Sequence, residues 1–210
     1  MGKKIDLDRW NRKEHFEFFN SFDEPFLGIV TEVDCSLAWE KVQSENIPFF
    51  IYYLYQSLKA VNQTEAFSYR EKEGEVICYD RIHASPTILR EDTTFGFAFM
   101  EYNENFDIFS KHAQQEMDAV KKSGGLRLND QNSRPDVIHY SSIPWFSFTA
   151  LSHPRNFQNN DSVPKISFGK FREENNRKML PISVHAHHGL MDGYHVGMFL
   201  QAFQNLLNQP

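Results

Sequence analysis

At 210 residues, 40% of them hydrophobic and 24% charged, the chain can bury a sizeable core and has the make-up of an ordinary globular protein. A net charge of -6 argues against nucleic acid as a partner, because that needs a basic face, yet it leaves room for a local basic cluster that meets a phosphorylated co-substrate. Cys35 and Cys78 are too far apart for a CxxC half-site, MGKKIDLDRW lacks the apolar stretch of a signal peptide, and no run has the length of a membrane span. The expectation is therefore a cytoplasmic protein with free thiols that does not enter a membrane.

In chain order, Asp8 is placed to cap a helix over about Arg9 to Phe22, stopped by Asp23-Glu24-Pro25. Phe26 to Val33 reads as a strand. Asp34 then caps a second helix to about Glu45, and Pro48 opens a third, FFIYYLYQSLKAVNQ. Strands are expected at Glu75 to Asp80, Ser85 to Leu89 and Phe95 to Glu101. Asn105 starts an amphipathic helix that ends at Gly124-Gly125, with Phe106, Phe109, Ala113 and Met117 near helical spacing. The last third is mostly extended, at Val137 to Tyr140, Trp145 to Thr149, Lys165 to Arg172 and Lys178 to His187. A helix from about Tyr194 to Leu207 closes the chain. No repeat, low-complexity tract or linker divides it, so residues 1–210 read as one domain. Helices and strands interleave without a strict βαβ rhythm, which points to the α+β class: a mixed β-sheet with helices packed mainly on one face.

Ser183 to His195, SVHAHHGLMDGYH, concentrates the chemistry. A strand-like run ends in His187-His188, Asp192-Gly193 follows four residues on, and a helix begins there, so the turn projects His188 from a strand end. Four readings are open. The histidines are satisfied polar groups at a strand end, or a metal site, since His185 and His187 share a strand face. The metal pattern His-x-His-x-Asp-His would need Asp and His where Gly189 and Leu190 stand. A Ser-His-Asp hydrolase is the third reading, and no G-x-S-x-G elbow supports it. The fourth is direct acyl transfer, in which a neutral imidazole removes a proton from an acceptor hydroxyl and an oxyanion donor steadies the tetrahedral intermediate.

His187-His188-x-x-x-Asp192-Gly193 resembles the HHxxxDG signature of CoA-dependent acyltransferases. Trp10 to Glu17 (WNRKEHFE), Ser141-Ser142-Ile143-Pro144-Trp145, Leu180 to Val184 and Asp192-Gly193-Tyr194-His195-Val196 resemble, in the same order, segments of chloramphenicol acetyltransferases. The resemblance covers nearly the whole chain. It implies that family's fold, and acetyl transfer from acetyl-CoA to a small hydroxylated acceptor, chloramphenicol first and another alcohol next. No metal and no permanently bound cofactor is implied. It further implies a homotrimer with active sites between subunits and a part in antibiotic resistance.

Residue by residue, the resemblance implies His188 as general base and His187 as structural. Asp192 and Arg12 form a bracing ion pair, Ser141 donates to the oxyanion, and Ser167 stands where the family has a water-holding threonine. Lys170 matches a lysine near the CoA phosphates, Phe171 replaces a tyrosine beside it, and Trp145 lines the pantetheine channel. Phe19 stands where a tyrosine is common, and Phe26 with the aromatics from Phe95 to Phe99 forms an apolar wall for the acceptor. The polar block Gly124 to Asp136 does not match the family's substrate-facing segment. A non-catalytic member that binds CoA or an apolar ligand is the rival from another class, and an acyl carrier partner would need an exposed basic patch.

Overall fold

The computed structural model describes residues 2–131, 133–156 and 161–209. Period-two alternation in the last third builds its centre. β7 (Val137–Ile143), β8 (Lys165–Gly169) and β10 (Arg177–His187) turn Ile138 and Tyr140, Ile166 and Phe168, and Ile182, Val184 and Ala186 to one face, all buried. The alternate residues, Ser141, Ser167 and Ser183 among them, face the other way, as a pleated strand requires. β2 (Phe26–Asp34), β5 (His83–Leu89) and β6 (Phe95–Phe97) complete the sheet in the order β2-β10-β8-β7-β5-β6. The β7 pairings with β5 and β8 are parallel and the others antiparallel. β9 (Arg172–Glu174) forms a hairpin with the start of β10.

The apolar face is covered by α3 (Phe49–Gln63) and α5 (Gly193–Leu207), whose Tyr53 and Phe203 rings meet Phe168 at 4.7 and 5.9 Å. Phe199 and Phe203 are fully buried, worth about 2–3 kcal/mol each in water-removed area. α1 (Lys13–Phe19), α2 (Ser36–Glu45) and α4 (Phe106–Lys121) flank this layer. A small antiparallel sheet joins β1 (Gly2–Lys4), β4 (Glu75–Tyr79) and β3 (Tyr69–Lys72). Arg70 of β3 is fully buried and donates to the carbonyls of Phe67, Tyr69, Pro135 and Val137, which ties this sheet to the start of β7.

The α+β mixed sheet with helices mainly on one face is what the sequence predicts, and three details differ. Trp145 to Thr149 is a turn and irregular chain, because Pro144 has no N–H to continue the ladder. Phe146 O instead accepts from the Lys170 amide. The first helix begins only at Lys13: Asp8 takes the Lys13 ammonium at 2.6 Å and caps nothing, while Arg12 occupies the N-cap. β8 stops at Gly169, where a Cβ would lie 2.8 Å from Pro181. Among the described residues, no helix is long and apolar enough to cross a membrane.

Candidate active site

His188 follows β10 directly, and its amide donates to Pro25 O at 2.7 Å, so its backbone is fastened to the segment that enters β2. Its ring is partly exposed and lies on Phe19, with centroids 3.9 Å apart at an interplanar angle of 21°. Nδ1 is 3.3 Å from the Met191 carbonyl. A carbonyl only accepts, so Nδ1 carries the hydrogen in this contact and Nε2 is left as the basic lone pair.

Arg12 and Asp192 hold the loop that carries this ring. Arg12 Nη1 donates to Asp192 Oδ2 at 2.8 Å, and Nη2 donates to the His188 carbonyl at 3.1 Å. Asp192 is also the N-cap of α5, accepting from the Tyr194 amide at 3.0 Å, and its Oδ1 lies 2.9 Å from His195 Nδ1. His195 Nδ1 is also 3.2 Å from the Asp192 amide, a contact that would need it to accept. The shorter contact to a carboxylate favours the tautomer with the hydrogen on Nδ1. Burial raises the Asp192 pKa, but the hydrogen bonds from Arg12 and His195 outweigh it and hold the carboxyl at about 2. His187 points inward and is nearly inaccessible. Burial, with Arg155 nearby, pulls it down to about 4, and its Nδ1 accepts from the Gly189 amide.

Ser141 belongs to a different place. It lines a cavity of about 470 Å³ together with Leu89, Phe95, Phe97, Trp145 and His153, within the usual range for small-molecule sites. A roomier groove of 750 Å³ beside α4 is walled by Asp92, Asp118, Lys121 and Lys122 and holds none of the candidate residues. Ser141, Ser167 and Ser183 are register partners across β7, β8 and β10, and His187 is four residues beyond Ser183. That is about 13 Å along the strand and about 10 Å across two strand spacings, so roughly 16 Å separates Ser141 from the strand end that bears His188. Within one chain His188 and Ser141 do not meet.

Of the other candidates, Phe19 stacks on His188 and Trp145 stands at the cavity, 61% exposed. Lys170 is exposed just beyond β8. The structure does not bring Phe171 or Phe26 to the cavity. Phe171 packs on Trp39 and Phe49 at 4.9 and 6.1 Å, and Phe26 lies under the Arg155 guanidinium and near Lys165. Phe95 and Phe97 do form cavity wall, whereas Phe99 sits under Arg134 in a separate polar hollow. The Gly124 to Asp136 block contributes to that hollow through Arg127, Asn129, Gln131 and Arg134. Ser167 is fully buried, with its hydroxyl 3.3 Å from His153 Nε2. His153 carries no motif signal, and only the fold brings it to Ser141. His195 lies inside a quoted segment, and its capping geometry next to Asp192 is the signal that would have given it a role.

A histidine at a strand end, on a loop held by a carboxylate–guanidinium pair, and a serine hydroxyl in a largely apolar cavity are compatible with an acyl-transferring enzyme. The whole-chain comparisons agree. The family model "Chloramphenicol acetyltransferase" matches residues 2–204. A chloramphenicol acetyltransferase of Staphylococcus aureus is 30% identical over 214 residues, covering 99% of this chain and 96% of that one. Chloramphenicol acetyltransferase 3 of Escherichia coli is 27% identical over 208 residues, covering 98% and 96%. A solved chloramphenicol acetyltransferase, 30% identical, matches with a TM-score of 0.92 over 99% of this chain and 100% of that one. A probable dihydrolipoamide acetyltransferase of Listeria monocytogenes, 14% identical over 98% and 94% of the two chains, shares the fold alone at a TM-score of 0.70. The chain belongs to the chloramphenicol acetyltransferase family: it has that fold and is an acetyltransferase.

Proposed function

We propose that this enzyme moves the acetyl group of acetyl-CoA to a hydroxyl of chloramphenicol, with His188 as general base. The observation that carries the reading is the Nδ1 contact to Met191 O. It leaves Nε2 free to take the hydroxyl proton while the alkoxide oxygen attacks the thioester carbonyl. The C–S bond then breaks, the acetyl ester is formed, and the proton passes from His188 to the departing thiolate, giving free CoA. Ser141 donates to the oxyanion of the tetrahedral intermediate. Arg12 and Asp192 keep the His188 loop in register. Lys170 meets the CoA phosphates and Trp145 borders the pantetheine arm. Ser167 acts from beneath the cavity rather than in it.

The separation of roughly 16 Å between the two halves of the site supports an assembly in which His188 of one subunit faces the Ser141 cavity of a neighbour. Exposed Phe18 and Phe22 beside the base, and Leu89, Phe95, Trp145 and Phe146 around the cavity, offer apolar surface for such contacts. We take the assembly to be a homotrimer, the protein to be cytoplasmic, and its role to be antibiotic resistance.

The test is thiol release from acetyl-CoA, with chloramphenicol present, absent or replaced by other alcohols. Drug-dependent release that disappears in His188→Ala is the expected result. Release with another alcohol alone would keep the mechanism and discard the acceptor. No release with any acceptor, alongside tight CoA binding, would mean a binding protein. A monomer by sedimentation at micromolar concentration would refute the shared site.

A further inference from the structure

Arg12 meets Asp192 through one hydrogen bond, Nη1 to Oδ2 at 2.8 Å, and not through the two-bond fork that a guanidinium and a carboxylate ordinarily favour. Its Nη2 is turned away to the His188 carbonyl at 3.1 Å, and its Nε is buried with no partner among the described residues. In a residue only 8% exposed this arrangement is unfavourable for Nε, because a buried donor gives up its hydration and gains no acceptor.

A competing arrangement lies close by. The terminal torsion of an aspartate is soft, and a turn of the Asp192 carboxylate would present both of its oxygens to Nε and one terminal nitrogen of Arg12. The guanidinium is planar and rigid. Turning it to meet both oxygens would satisfy Nε and carry Nη2 off the His188 carbonyl.

What opposes that turn stands on the α5 side. Asp192 Oδ1 accepts from the Tyr194 amide at 3.0 Å and lies 2.9 Å from His195 Nδ1. The amide alone would act as a hinge about which the carboxylate could still rotate. The imidazole supplies a second point, donating to Oδ1 with the hydrogen on Nδ1. Its ring is held in place, the side chain 22% exposed and the Tyr194 ring edge-on at 5.5 Å. Hydrogen bonds thus run in series from His195 to Asp192, from Asp192 to Arg12 and from Arg12 to the His188 backbone.

We infer that His195 is a positioning residue for the base: by holding Oδ1 it keeps Asp192 from chelating Arg12, and so keeps Nη2 on the His188 carbonyl. The unpartnered Nε follows from sharing one guanidinium between a carboxylate and a backbone carbonyl. His195 acts through Asp192 and Arg12 and not on the acceptor or CoA. The inference rests on the reading of His188 as the base.

The experiment uses the full-length enzyme as wild type, His195→Leu, His195→Asn, Asp192→Asn and the double variant of His195→Leu with Asp192→Asn. CoA release gives kcat and KM, and crystal structures of the His195 variants locate Arg12. His195→Leu should lower kcat about tenfold or more, since a misplacement of about 1 Å is enough, with KM changed by less than about twofold. Its Arg12 should make two bonds to Asp192 and none to the His188 carbonyl. His195→Asn should restore most of the rate, because the asparagine Nδ2 stands where the imidazole Nδ1 does and can donate to Oδ1. Asp192→Asn has no second carboxylate oxygen and cannot form the fork, so adding His195→Leu to it should cost less than about twofold more. Should His195→Leu fail to fold, His195→Phe, which keeps a ring there, replaces it in every comparison. An Arg12 that stays on the His188 carbonyl in these variants, a rate that His195→Asn does not restore, or losses that multiply in the double variant would each overturn the inference. If the wild type releases no CoA with any acceptor, the reading of His188 as base fails, and the position of Arg12 in the crystals alone upholds or overturns the role of His195 in holding it.

Discussion

Asp192→Asn is the most informative single change, because it keeps the shape of the brace and removes its charge. The side chain of Arg12 is only 10% exposed and that of Asp192 32%. After the change Arg12 retains its bond to the His188 carbonyl but loses its counter-ion. Breaking a buried pair from one side costs about 3–5 kcal/mol; with a third of Asp192 in water, about 2 kcal/mol is the expected value. The titration gives a second route. The carboxyl lies at about 2 against an ordinary 3.8, burial raising it and the Arg12 and His195 bonds lowering it further. At 1.36 kcal/mol per pH unit this caps the linked stability near ~2.5 kcal/mol, and solvent screening trims it to about 1–2.

The sign is set by the depressed pKa: the stability is fully present above about pH 4 and lost as pH falls through about 2. Urea unfolding of wild type and variant should therefore differ by about 1–2 kcal/mol near neutral pH and converge near pH 2. Turnover should fall by about 10²-fold, since the His188 loop loses its anchor and a misplacement of about 1 Å is enough for that. A stability gap that persists unchanged at pH 2, or a variant as stable and as active as the wild type, would refute the brace.

Three further outcomes follow from the geometry. His188→Ala should lower turnover by about 10³-fold or more while the urea midpoint moves by less than about 1 kcal/mol, because the ring is only partly buried and bonds one carbonyl. Ser141→Ala should cost about 10²–10³ in kcat with little change in KM, as loss of a transition-state donor does, and steady-state rates decide it. Gly28→Ala should destabilise by about 1–3 kcal/mol, because its Cβ would collide with His185, which packs against His153. Urea unfolding reads the effect, and a variant as stable as the wild type would refute the collision.

What the sequence makes legible is local. His188, Asp192 and the helix after them lie within a few residues, so their spacing states the turn geometry, and the structure keeps Asp192 as the cap of α5. Period-two alternation shows β7 and β10 because both are flanked by buried and polar layers. The misread strand has a non-local cause. Trp145 to Thr149 is aromatic and reads as a strand, yet it has no neighbour to pair with after Pro144. The packing of Phe171 on Trp39 and Phe49 is likewise set by distant segments and carries no signal in its own neighbourhood.

The relation between His188 and Ser141 is the limiting case. Their segments sit forty-odd residues apart and read equally well as parts of one site, and sheet register then puts them about 16 Å apart. No periodicity within a single chain encodes that gap. It has a physical consequence: His188 and the Arg12–Asp192 pair are held at the end of β10 and the start of α5, whereas the Ser141 cavity is walled by β5 to β7 and the segment carrying His153. Under the proposed function, substitutions on the wall should retune the acceptor without disturbing His188, and substitutions at Arg12 or Asp192 should disable His188 without altering what the cavity binds. A double-mutant cycle between Asp192→Asn and His153→Leu should accordingly be additive in transition-state energy within about 0.5 kcal/mol. Strong coupling would mean that the two halves are mechanically joined, and the proposed division into a chemical half and an acceptor half would not hold.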